Sequence, residues 1–136
     1  MVVSDLTERE GIVLLGLARL IVEADHVLHD EEAEMLGELS RELGMDGKSI
    51  SNEGLPLEEQ CSFITRREAQ ACIFLELALL ACVDGEYVGS EREVLLKIAG
   101  VWKVQGSTVS RVEAWAQRRI LLSREAAEIA AEISHF

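Results

Sequence analysis

Four carboxylates at a repeated spacing are the residues of this chain best placed to do chemistry. Asp25 is followed seven positions later by Glu32, and Asp84 is followed seven positions later by Glu91. Each pair spans a short turn that closes an apolar segment and opens a charged helix. Such a turn leaves helix carbonyls unpaired beside an aspartate, and a hard cation such as Ca²⁺ or Mg²⁺ takes carbonyl and carboxylate oxygens together. Glu32 and Glu91 would supply a second carboxylate from the following helix. The same residues also suit a metal-free role, in which the aspartate accepts backbone amides of the turn and the glutamate completes the next helix cap. Spacing alone does not choose between these readings.

Neither turn is an EF-hand, which needs acids at positions 1, 3 and 5, glycine at 6 and glutamate at 12. His26 and His29 add imidazoles to the first turn, a ligand type suited to Zn, Ni or Cu; histidines in a loop are more often exposed bystanders. Glu76 lies in the most apolar stretch of the chain, where a carboxylate needs a partner or a raised pKa. Its expected partner is Arg19, and its alternative role is that of a buried functional acid. No nucleophile turn motif and no glycine-rich phosphate loop is present, so the chain does not read as an enzyme.

The elements that must position these groups are helices. Thr7 and Glu10 fit a capping box at the start of a first helix reaching about Ala24. Gly11 and Gly16 inside it imply close approach of another helix. A second helix covers Glu31 to about Leu43 with Asp30 as its cap and Gly44 as its stop. Residues 45 to 55 read as a connection, and Pro56 opens a short third helix to about Ile64. The fourth, about Arg67 to Val83, is apolar nearly all round and marks the centre of the domain. A Ser90–Glu93 box caps a fifth helix to about Val101. Two further helices are expected, from about Thr108 to Ile120 and from a Ser123 cap to about Ser134. Trp102 and Trp115 read as core fillers, and Arg111, Arg118, Arg119 and Arg124 form the one basic patch.

The fold class is therefore all-α, a single compact bundle of about six to seven helices over residues 1–136, with an internal pseudo-twofold repeat. The repeat units are about 8–50 and 67–105, and the C-terminal helices cover 108–134. With 136 residues, 49% of them hydrophobic and few aromatic, the chain can bury an aliphatic core without staples. The net charge of −12 is concentrated early: residues 1–60 hold 15 acids against 4 bases, and residues 61–136 hold 10 against 9. That surface disfavours nucleic acid and favours cations or basic protein surfaces. Cys61, Cys72 and Cys82 show no metal spacing and suit a reduced, cytoplasmic protein. No run is long and apolar enough for membrane insertion.

Ala24-Asp25 and Val83-Asp84-Gly85-Glu86, each with a glutamate seven residues after the aspartate and a leucine-rich helix beyond, resemble the TerB-like tellurite-resistance family over about residues 8 to 105. The resemblance implies an all-helical pseudo-twofold domain with a divalent-ion site at Asp25, Glu32, Asp84 and Glu91. It also implies a binding or scaffolding part in a tellurite or stress-resistance system. His26 stands where the family has glycine, so the first turn is expected to bend differently from the second. Two rivals remain: a metal-free interaction domain docking a basic partner on residues 23 to 46, and a hydrolase dependent on a metal or on Glu76.

Overall fold

A shift of 59 residues relates two helix pairs of the molecule. The computed structural model describes residues 1–25, 30–45, 54–83, 87 and 89–135, with Asp25 described by its backbone. Among them are six α-helices and no strand: α1 (Glu8–Val22), α2 (Asp30–Glu42), α3 (Leu57–Ser62), α4 (Arg67–Cys82), α5 (Gly89–Val101) and α6 (Gly106–Ser134). Two 3₁₀ turns, Val3–Asp5 and Glu23–Asp25, flank α1. The starts Glu8 and Arg67, the starts Asp30 and Gly89, and the ends Glu42 and Val101 are each 59 residues apart. The packing repeats too. Leu14, Ile21 and Leu39 correspond to Ile73, Leu80 and Ile98, and all six are buried.

α4 is the central helix, touching α1, α2, α5 and α6. Ten of its residues are buried, as its apolar surface requires. α1 starts where expected: the Thr7 hydroxyl accepts from the Glu10 amide at 3.2 Å, and Glu10 accepts from the Thr7 amide at 2.9 Å. Gly11 lies at a close approach: a Cβ there would sit 3.0 Å from Leu43 Cδ2 and 3.3 Å from Met45 Cε, just beyond α2, and these side chains would have to give way. Gly16 is buried in the same helix.

Both α2 and α5 end in the same device. The Met45 amide donates to Ser40 O at 2.8 Å and the Gly44 amide to Arg41 O at 3.0 Å; the Val104 amide donates to Ala99 O at 2.8 Å and the Lys103 amide to Gly100 O at 3.4 Å. These are paired Schellman motifs, whose key residue must take positive φ. Gly44 does so at +69°, and Lys103 does so at +57°. The second unit thus places a lysine where a glycine is the unstrained choice.

Two expectations need correction. The pair of C-terminal helices is one continuous helix, α6, because neither glycine nor proline interrupts residues 107–134 and Ser123 has no break at which to cap. Every residue from Leu121 to His135 is exposed, so the second half of this helix buries no side chain among the described residues, although Arg124 reaches back to the end of α4. α5 begins at Gly89 and α2 at Asp30, which puts Ser90 and Asp30 inside the first turn instead of at the cap. The connection expected over residues 45 to 55 lies mostly outside the described residues.

Candidate metal centre

Glu32 is the third residue of α2 and Glu91 the third residue of α5, again 59 apart. Each side chain is only 1% exposed. Their helices begin with the acidic turns, and the first helical turn is where the dipole and the unpaired amides best accept negative charge. A carboxylate that has given up its water must be compensated by donors, a cationic side chain or a metal ion. The donor set of the repeated motif is oxygen throughout, which fits a hard cation.

Asp25 closes the 3₁₀ turn Glu23–Asp25, and this turn packs against both α1 and α5. The backbone of the first acidic turn therefore lies beside the helix that carries Glu91, so the structure brings residues of opposite units together. Asp84, His26 and His29 lie outside the described residues, as does the side chain of Asp25. Among the described residues no group of three or more His, Cys, Asp and Glu side chains is arranged to hold a metal ion.

An open groove of about 1100 Å³ runs along this junction. Glu23 and Ala24 of the first turn line one side, Ser90, Glu93 and Lys97 of α5 another, and Pro56 and Glu58 close it at α3. Its walls carry both signs of charge, Arg19 and Lys97 facing three glutamates.

Glu76 has a different neighbourhood from the one expected. The Arg19 pairing does not form, since α1 turns Arg19 into the groove just described. Glu76 is half-buried and lines a second groove, of about 590 Å³, between α2 and α6. Burial holds its carboxyl above the ordinary range, Glu42 adds to this, and Arg119 opposes it. Glu31, Glu34, Glu38 and Glu42 form a ridge along one side of that groove, while Arg119 and Arg124 stand on the other.

Two arginines carry structural duties that spacing did not reveal. Arg66, which precedes α4, grips both oxygens of Glu10, with Nε at 2.9 Å and Nη2 at 2.6 Å. This contact is the first cause holding the Glu10 carboxyl down at about 2. Arg124 of α6 donates to Val83 O at 3.0 Å, which places a cation on the carbonyl just before the second acidic turn. The basic composition of α6 was a signal; its target carbonyl, 41 residues away, was not readable.

The other candidate groups serve the core. Trp102 is 3% exposed, and its indole N–H donates to Cys61 O at 3.1 Å. Trp115 is half-buried under the Arg119 guanidinium, 5.9 Å from the ring centroid. All three cysteines are buried without a disulfide, and burial pushes the Cys61 thiol up to about 12, which keeps it protonated. No described helix is long and apolar enough to cross a membrane.

Comparison of the chain with models of known protein families, with curated proteins and with solved structures found no match.

Proposed function

We propose that this chain is a non-catalytic helical module that holds a divalent cation, Ca²⁺ or Mg²⁺, at the carboxylates of its duplicated turns, Asp25, Glu32, Asp84 and Glu91. The TerB-like resemblance extends the proposal to a binding or scaffolding role in a tellurite or stress-resistance system. The observation that carries the reading is the burial of Glu32 and Glu91 to 1% exposure at equivalent places in the repeat. A charge buried once is often an accident of packing; buried twice at matching positions, it argues for a shared task. When bound, the ion would supply the positive charge that offsets removing these carboxylates from water.

The rivals are less well supported. The α2 ridge already faces Arg119 and Arg124 of its own chain, which reduces its call on a basic partner. A hydrolase built on Glu76 rests on a single half-buried carboxylate that the repeat does not duplicate, since Leu17 holds the equivalent place in the first unit.

Thermal unfolding of chelator-treated protein tests the proposal, with Ca²⁺, Mg²⁺ and Mn²⁺ added separately. An ion that binds only the folded state adds about 2.7 kcal/mol at a hundred times its Kd, a rise of roughly 10 °C for a domain of this size. Glu32→Gln and Glu91→Gln should abolish the rise, whatever they do to the metal-free midpoint. No movement of the midpoint with any of the three ions would overturn the reading.

A further inference from the structure

α6 is 29 residues long, about 43 Å at helical rise, and every residue of its second half from Leu121 to Ser134 is exposed. Beyond Ile120 it carries Leu121, Leu122, Ile129 and Ile133 at 62%, 64%, 48% and 68% exposure. All of these but Leu121 lie on one stripe. Val112, Trp115, Leu122, Ala126, Ile129 and Ile133 fall at alternating steps of three and four, with Arg119 filling the one gap. That is the seam of a two-stranded coiled coil. Two shallow concavities, of about 480 and 360 Å³, share Trp115 and Arg118 and follow the seam from Leu75 of α4 to Ala126.

The charges beside the seam say what covers it. Arg111, Arg118, Glu125 and Glu132 are spaced seven apart along one edge, and the sign reverses halfway. Such an edge complements itself only when a second copy runs antiparallel, which sets Arg118 across from Glu125 and Arg111 across from Glu132. The dyad then makes four ion pairs. In a parallel pair the same edge would face Ala116, Ser123 and Ala130, which carry no charge. The antiparallel register also matches sizes across the seam. Trp115 meets Ala126 and Val112 meets Ile129, while Arg119 lies over the Trp115 ring with its charge drawn toward the Glu76 groove. The small opposite edge, Ala116, Ser123 and Ala130, lets the second helix pass close to α4.

We propose that two copies of this chain associate through α6 as an antiparallel helix pair, with the Arg111, Arg118, Glu125, Glu132 edge fixing orientation and register. Sedimentation equilibrium of the whole chain is the test. The wild-type protein should form a dimer that weakens as NaCl is raised, since the edge pairs are screened by salt. Arg111→Glu with Arg118→Glu makes the edge wholly acidic, and Glu125→Arg with Glu132→Arg makes it wholly basic. Each double variant alone should dimerise at least about tenfold more weakly, because four attractive pairs become four like-charge pairs. An equimolar mixture of the two should recover wild-type affinity as a heterodimer, which a merely unfolded variant could not do. The proposal is overturned by a monomeric wild-type chain at several hundred micromolar, by double variants that dimerise like wild type, or by a mixture that fails to recover.

Discussion

The two repeat units share their helix boundaries to within one residue and differ in nearly everything that decorates them. In the first, α1 begins with a Thr7–Glu10 box and contains a close-approach glycine at Gly11; in the second, the corresponding positions are Arg66, Ala69 and Gln70. Gly44 ends α2 without strain, whereas Lys103 ends α5 at the same kind of φ. Leu43 is half-buried, whereas its counterpart Trp102 is 3% exposed and anchored to Cys61. Leu17 is fully buried, whereas its counterpart Glu76 looks into a groove. Against this divergence, Glu32 and Glu91 keep the same type, place and burial. A shared backbone tolerates different caps, fillers and stops, so agreement at a buried charge is the feature that most needs a reason.

Substitutions at matched positions measure how far the units differ. The largest effect is expected at Trp102: Trp102→Ala should cost about 3–5 kcal/mol in urea unfolding, and Leu43→Ala about half as much, because Leu43 buries less. Equal losses would mean that the units contribute alike.

Next comes the capping box found in the first unit. Glu10→Gln should cost at most about 1 kcal/mol, because glutamine can still accept from the Thr7 amide and the lost charge faces an Arg66 exposed enough for water to screen the ion pair. Its carboxyl has a lowered folded pKa, so the wild-type advantage is present above the ordinary value of 4.5 and is lost as pH falls toward about 2. Stability curves of the two proteins should converge over that window.

The helix stops should answer in opposite directions. Lys103→Gly should gain about 0.5–1 kcal/mol by relieving the left-handed backbone, and Gly44→Lys should lose about 1 kcal/mol by imposing it. Denaturation midpoints at constant slope would report both.

Glu76 should give the smallest change. Its folded pKa is raised, so its penalty is absent below 4.5 and develops as pH rises through and beyond that value. Glu76→Gln is therefore expected to raise the thermal midpoint near neutral pH and to leave it unchanged in acid. A neutral-pH loss would show that the ionised carboxylate is needed.

What could be read in the sequence was local. The Thr7–Glu10 box, the Gly44 stop and the apolar α4 follow from residues within a few turns of one another, and the repeat follows from the likeness of two such local stretches. What could not be read was set by pairing across the chain: Arg66 with Glu10 over 56 residues, and Arg67 with Trp102 O over 35. The continuity of α6 was missed because a serine among charged residues looks like a cap, although nothing before it breaks the helix. At the candidate site, the repeated spacing pointed to Glu32 and Glu91. Their burial, and the packing of the Glu23–Asp25 turn on α5, depend on how the units meet, and spacing within one unit carries no record of that.

The most direct test of the central claim is calorimetric titration of Ca²⁺ and of Mg²⁺ into chelator-treated wild-type protein and into Glu91→Gln, whose fold is first verified by circular dichroism. Saturable binding of at least one of these ions to the wild-type chain, lost in the variant, is the expected result. Heat of dilution alone with both ions, or binding that Glu91→Gln leaves intact, would contradict it.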